Sequence, residues 1–125
     1  VVAYSPLQCG LLTGKFDIQR LAENDWRRQS IEFNEPNLSE NLWLANELKK
    51  IAAKYGKTPG QLAVAWVLRQ DIVTSAIVGG RSPDQVKENI GGTGWKIAEE
   101  DLQAIDKILA ERIRRIKEVG GTVRE

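Results

Sequence analysis

The sequence predicts an α/β fold: two short parallel strands joined by helical crossovers, a section of a larger sheet or barrel. Three observations carry that prediction. Val1-Val2-Ala3-Tyr4 is a nearly all-apolar run, as expected for a strand buried on both faces of a parallel sheet. Ile72 to Val78 returns to β-branched residues after a long stretch with helical spacing. Both runs pass straight into a glycine-punctuated loop, Ser5 to Gly14 after the first and Gly79-Gly80-Arg81 after the second. Strands separated by helices become parallel neighbours, so both loops leave the same edge of the sheet. Two strands alone cannot hide two faces and two open edges, which is why a larger sheet is expected.

The elements follow in order. Ser5-Pro6 ends the first strand, because proline lacks a backbone donor and restricts the residue before it. Gly10 and Gly14 bracket Leu11-Leu12-Thr13 in a loop able to bend over a ligand. From Lys15 to about Asn37 the chain is polar and aperiodic, with Asp25-Trp26-Arg27-Arg28 at its middle. A loop of that length in a compact domain is expected to be functional or disordered. The first helix starts at Asn37 as cap, with Glu40 in the capping-box position. Leu38, Leu42, Ala45, Leu48, Ala52 and Tyr55 form its apolar stripe, and Gly56 supplies a left-handed stop.

Thr58-Pro59 opens a second helix by cap-plus-proline logic. Leu62, Ala63, Ala65, Trp66, Val67 and Leu68 make it apolar on nearly every side, hence deeply buried. A third helix is capped by Ser82, begins at Pro83, carries Gln85 in the capping-box position and stops at Gly91-Gly92. The last helix covers about Ala98 to Val119, with Leu102, Ile105, Leu109, Ile113 and Ile116 on one face. Acidic residues in its first turn and Arg112 to Lys117 near its end complement the helix dipole. That basic end reads as a solvated face.

Length and composition bound the rest. At 125 residues the chain is expected to be one domain, 1–125. Eighteen Lys and Arg against 17 Asp and Glu leave a net charge of +1, which gives no reason to propose a nucleic-acid or membrane partner. The lone cysteine excludes an internal disulfide and fits a reducing compartment, so a cytoplasmic protein is expected. No apolar run approaches the roughly 18 residues that span a bilayer. The chain has no methionine and opens inside a strand, from which we expect a piece of a longer protein. It also has no histidine, the commonest acid–base group at neutral pH. Cys9 therefore lacks the base a nucleophilic thiol needs, and no metal site is expected.

Function is read mainly from the two loops. A helix that starts just after a strand, with glycines before it and Arg81 at its mouth, is suited to an anion. A second glycine loop beside it points to a phosphate-rich ligand held at the ends of neighbouring strands.

The motifs also carry a resemblance. Tyr4-Ser5-Pro6-Leu7-Gln8-Cys9-Gly10-Leu11-Leu12-Thr13-Gly14-Lys15-Phe16 resembles the segment after the seventh strand of aldo-keto reductases, nearest the branch that includes the potassium-channel β-subunits. Thr58 to Leu68 is similar to that family's seventh barrel helix, and Ile77-Val78-Gly79-Gly80-Arg81 through Glu88-Asn89 to its cofactor signature after the eighth strand. The resemblance implies a C-terminal portion of a (β/α)8 TIM barrel, strands seven and eight with their helices, that binds NADP(H). It implies an oxidoreductase reducing aldehydes or ketones by hydride transfer, or alternatively a nucleotide-sensing regulatory subunit like the channel β-subunits.

Roles carry over by position. Tyr4 matches the aromatic stacked on the nicotinamide. Ser5, Pro6, Leu7, Gln8, Cys9 and Gly10 match the loop around the pyrophosphate, and Lys15 a lysine reaching the phosphates. Gly79 belongs to the turn leading to Arg81, which matches the position beside the adenosine 2′-phosphate and so favours NADP(H) over NAD(H). Gln85, Glu88 and Asn89 share a helix face and match the residues around adenine and its ribose. Arg27 or Arg28 corresponds to an arginine folded over the cofactor. The family's Asp, Tyr, Lys and His tetrad lies on earlier strands and is not matched here, so no catalytic residue is assigned and the chain alone is expected to be inactive. The remaining partners implied are the rest of the barrel and a carbonyl substrate.

Overall fold

In the computed structural model, which describes residues 1–124, two strands pair in parallel. Strand β1 is Val2–Tyr4 and β2 is Ser75–Ile77, with Val2 opposite Ser75, Ala3 opposite Ala76 and Tyr4 opposite Ile77. This register puts the carboxyl ends of both strands side by side, so the loops after Tyr4 and Ile77 emerge together. Strand β2 is shorter than the apolar run predicts. Ile72 lies in an exposed turn, and Thr74 precedes the strand, donating to the Val1 carbonyl through its N–H at 2.8 Å and its Oγ1 at 3.1 Å. Within this chain the faces of β1 are not covered: Val2 is 55% and Tyr4 82% exposed. The helices pack mainly on one another, and the main partner of β1 is β2.

Four helices follow: α1 (Asn37–Ala53), α2 (Pro59–Leu68), α3 (Pro83–Ile90) and α4 (Glu99–Glu118). Helix α2 starts as predicted. Thr58 Oγ1 accepts from the Gln61 N–H while Gln61 Oε1 accepts from the Thr58 N–H, a complete capping box. Helix α1 starts differently, because Pro36 holds the cap position. Asn37, fully buried, instead bonds the backbone of Thr122 through both of its amide atoms, and Glu40 pairs with Arg115. A distant segment thus recruits the two side chains that would otherwise cap locally. Leu42 faces solvent, while Leu44 and Ile51 join Leu48 and Ala52 in the core.

The main core unites Leu44, Leu48, Ile51 and Ala52 of α1, Leu62 and Ala65 of α2, and Ile97 and Ile105 at α4. The turn that ends α3 approaches α2 closely at Gly92, where a Cβ would lie 2.6 Å from the Val64 Cβ. The basic end of α4 is not a solvated face. Arg115 stacks over Trp43 at 4.5 Å besides pairing with Glu40, and Arg112 reaches Asn41 and Glu32. Only Arg114 bonds within its own helix surface, to Glu111 and Glu118. At the other end, Asp101 accepts from Lys54 and from the Tyr55 hydroxyl, which lowers its pKa and ties α4 to the end of α1. No helix among the described residues is long and apolar enough to cross a membrane.

The long segment after β1 is ordered by short 3-10 turns at Gln8–Thr13, Ile18–Arg20, Trp26–Gln29 and Ile31–Phe33. Its anchor is Phe33, which with Leu11 and Leu38 forms a second core flanked by Phe16 and Ile18. Sparse apolar residues without periodicity sufficed, because they converge in space rather than along one face.

Candidate functional site

A cleft of about 660 Å³ opens at the carboxyl ends of β1 and β2, walled by the loop after β1, the first turn of α2 and helix α3. The loop after β1 turns sharply: Ser5, Gln8 and Cys9 all have positive φ, 54°, 48° and 54°. Left-handed backbone is disfavoured for such residues by on the order of 1 kcal/mol each, and such strain concentrates at functional loops. The turn is held by Gln8 N–H to the Ser5 carbonyl at 3.0 Å, Gly10 N–H to the Leu7 carbonyl at 3.1 Å, and Thr13 Oγ1 to the Gly10 carbonyl at 2.7 Å. Gly14, at φ 74°, ends it against Pro59, so this loop rests directly on the start of α2.

Helix α3 forms the opposite wall. Ser82 Oγ accepts from the Gln85 N–H at 3.2 Å as the sequence predicts. The reciprocal bond is displaced by one residue, since Gln85 Oε1 accepts from the Arg81 N–H at 2.6 Å. Asn89 Nδ2 donates to the Gly79 carbonyl at 2.8 Å, and Glu88 faces Lys15 across the cleft at 3.4 Å. Gln85, Glu88 and Asn89 therefore do share one face, and there they hold the Gly79–Arg81 turn and the far wall. The Lys15–Glu88 pair is largely solvated and contributes little stability.

A third element reaches in from residues 25–29. Arg27 Nη1 donates to the Cys9 carbonyl at 3.0 Å, while Asp25 grips the same guanidinium through Nε at 3.0 Å and Nη2 at 2.8 Å. The Arg27 side chain, and then its backbone N–H, hold the Asp25 carboxyl down at about 2. Arg28 turns away, donating to the Ala22 and Leu21 carbonyls. Of the two arginines, Arg27 lines the cleft and Arg28 does not.

Tyr4, Ser5, Pro6, Leu7, Cys9, Gly10, Lys15, Arg27, Gly79, Arg81, Gln85, Glu88 and Asn89 all line this cleft. Gln8 does not. Its left-handed backbone points it into a neighbouring cavity of about 510 Å³, lined mainly by Leu44, Leu48, Leu62 and Trp66. Gln61 is a cleft residue that sequence reasoning passes over as a helix residue. Its Nε2 donates to the Glu88 carbonyl at 2.8 Å and so fixes α3 against α2. The capping-box spacing after Thr58 was its only signal. The cleft's charged lining is Lys15, Arg27, Arg81 and Glu88, with Lys15 facing Glu88 and Arg27 held by Asp25.

These features fit a section of a (β/α)8 barrel with a cleft lined by basic side chains at the carboxyl ends of two adjacent strands. The chain belongs to the aldo/keto reductase family, whose model matches residues 1–110. It is 38% identical over 112 residues to the aldo-keto reductase str7 of Strobilurus tenacellus, covering 89% of this chain and 33% of that protein. It is 34% identical over 113 residues to a putative voltage-gated potassium channel subunit beta of Schizosaccharomyces pombe, covering 85% of this chain and 33% of that protein. The solved glycerol dehydrogenase of Gluconobacter oxydans superposes with a TM-score of 0.82 at 38% identity, over 90% of this chain and 35% of that one. The chain spans about a third of the length of the relatives it matches.

Proposed function

We propose that this chain forms the NADP(H)-binding part of an aldo-keto reductase that reduces aldehydes or ketones. The observation that carries the reading is the meeting, in one cleft, of Tyr4 to Leu7, Cys9, Gly10, Lys15, Arg27, Gly79, Arg81, Gln85, Glu88 and Asn89, with Gln8 the exception. The residues suit the cofactor chemically. Tyr4 leaves its ring 82% exposed at a strand end, a π-face for a flat heterocycle. The Ser5–Gly10 backbone curves where a pyrophosphate needs close approach, with Lys15 and Arg27 to balance its charge. A Cβ at Gly79 would meet nothing within 4 Å, so the mouth beside Arg81 has room for a bulky phosphate. There a guanidinium offers several fixed donors to a 2′-phosphate, which favours NADP(H) over NAD(H).

When bound, the nicotinamide supplies the hydride. The chain's own part is to orient the ring through Tyr4 and to hold the phosphates. It does not protonate the carbonyl oxygen. Tyr55 donates its hydroxyl to Asp101 and accepts from the Ala98 N–H, and burial together with that carboxylate raises its pKa. In this reading the proton comes from the family tetrad on the rest of the barrel, which also covers β1, and the chain alone turns over no substrate. The lone cysteine fits a cytoplasmic setting. A second reading, a nucleotide-sensing regulatory subunit, is favoured by the likeness to the S. pombe channel subunit.

The test is titration with NADPH and NADH, before and after Arg81→Ala in the full-length protein. NADPH affinity should fall on the order of tenfold to a hundredfold, as expected for losing a charged hydrogen bond, with NADH nearly unchanged. Equal losses for both nucleotides refute the role of Arg81. Carbonyl turnover, against association with a channel without turnover, separates the two readings.

A further inference from the structure

One wall of the cleft is a strap whose anchor lies outside the cleft. Residues 25–33 form two 3-10 turns joined by Asn34, whose Nδ2 donates to the Arg28 carbonyl at 2.7 Å and the Ser30 carbonyl at 2.8 Å. At one end of this unit Arg27 reaches the Cys9 carbonyl. At the other end Glu32 meets α4. Arg112 Nη2 donates to Glu32 Oε2 at 3.0 Å and Arg112 Nε to Asn41 Oδ1 at 2.6 Å. Asn41, only 3% exposed, donates in turn to the Glu32 carbonyl at 2.8 Å and to Glu32 Oε2 at 2.9 Å.

Arg112 is not needed merely to clamp α4 onto α1. Arg115 with Glu40, and Asn37 with Thr122, already make that connection. What Arg112 adds is a charged bond to the strap itself. It also lies beyond residue 110, where the match to the family ends.

We infer that Arg112 is a positioning residue for the nucleotide: through Glu32 and Asn41 it fixes the strap that carries Arg27 over the cleft. The inference takes its ligand from the proposed function, but its geometry is independent of it. The guanidinium is required for its fork, because Nε and Nη2 serve two different acceptors at once and a lysine ammonium offers no such fixed pair.

Two measurements on the full-length protein test this. Hydrogen exchange reads the anchor without any nucleotide. Arg112→Ala should speed exchange of the amides at Arg28, Ser30 and Phe33 by roughly tenfold, the size of one lost charged hydrogen bond, while α2 and α3 keep their protection. Arg112→Lys should fall between. Unchanged exchange in the strap, or an equal rise throughout the fold, overturns the inference. NADPH release, followed by stopped flow, reads the positioning. Arg112→Ala should accelerate release several-fold in the presence of Arg27 and have little further effect in an Arg27→Ala background. The same acceleration in both backgrounds overturns it. A wild-type protein that binds no NADPH refutes the nucleotide reading instead, and exchange then decides the anchor alone.

Discussion

Truncating Phe33 to alanine should remove the anchor of the cleft loop. Phe33 is 3% exposed, with its ring centroid 5.2 Å from Phe16 and 5.8 Å from Trp26, and it shares a core with Leu11 and Leu38. Buried Phe→Ala changes cost about 3–5 kcal/mol, and the two aromatic contacts each add roughly 0.5–1.5 kcal/mol beyond area. Phe16 and Ile18 are only partly buried and can shift into the space, which reduces the cavity cost. We expect a loss of about 3 kcal/mol, a large share of the roughly 5–15 kcal/mol typical of a domain. Urea denaturation reads it as a fall in midpoint at constant slope. Phe33→Leu, which keeps most of the volume, should cost under about 1.5 kcal/mol. Leu11 belongs to the same 3-10 segment as Cys9 and Gly10, so nucleotide binding should weaken as well. A loss below about 1 kcal/mol for Phe33→Ala would show that residues 8–33 are not held by this cluster and would sink the argument.

Other expectations are more local. The Asp25 carboxyl, held at about 2 by Arg27, contributes stability that is full above the ordinary carboxyl value near 4 and fades as pH falls toward 2. A carboxyl titration of Asp25 by NMR should therefore have its midpoint well below 3, and a midpoint near 4 would remove the Arg27 clamp from the site. Gly92→Ala should destabilise by about 1–3 kcal/mol, because the new methyl would sit 2.6 Å from the Val64 Cβ and push α3 off α2. Unchanged thermal stability in that variant would mean that α3 rides on α2 more loosely than the packing implies.

Much of the fold is legible in local residues. Thr58-Pro59 with Gln61, and Ser82-Pro83, start helices through bonds that span three residues, so sequence spacing suffices to place them. The paired glycine loops are legible for the same reason. The start of α1 is not, because Asn37 and Glu40 are drawn off by Thr122 and Arg115, 85 and 75 residues away. The apolar pattern of β1 describes a strand covered on both faces, and this chain by itself supplies no such cover. That Arg27 rather than Arg28 lines the cleft follows from which carbonyl each guanidinium reaches, and the placing of Gln8 from its left-handed backbone, neither of which composition encodes.

By itself, then, the amino-acid order determined the element types, their sequence, the parallel pairing and the two loops that face one another. Tertiary structure alone decided which side chains enter the cleft, which arginine lines it, and that Arg112 of α4 reaches back to Glu32 and Asn41. The physical reason is range. Caps, turns and periodicity act over a few residues, while the Arg112 guanidinium, which bridges Glu32 and Asn41, needs the whole chain folded before its partners exist.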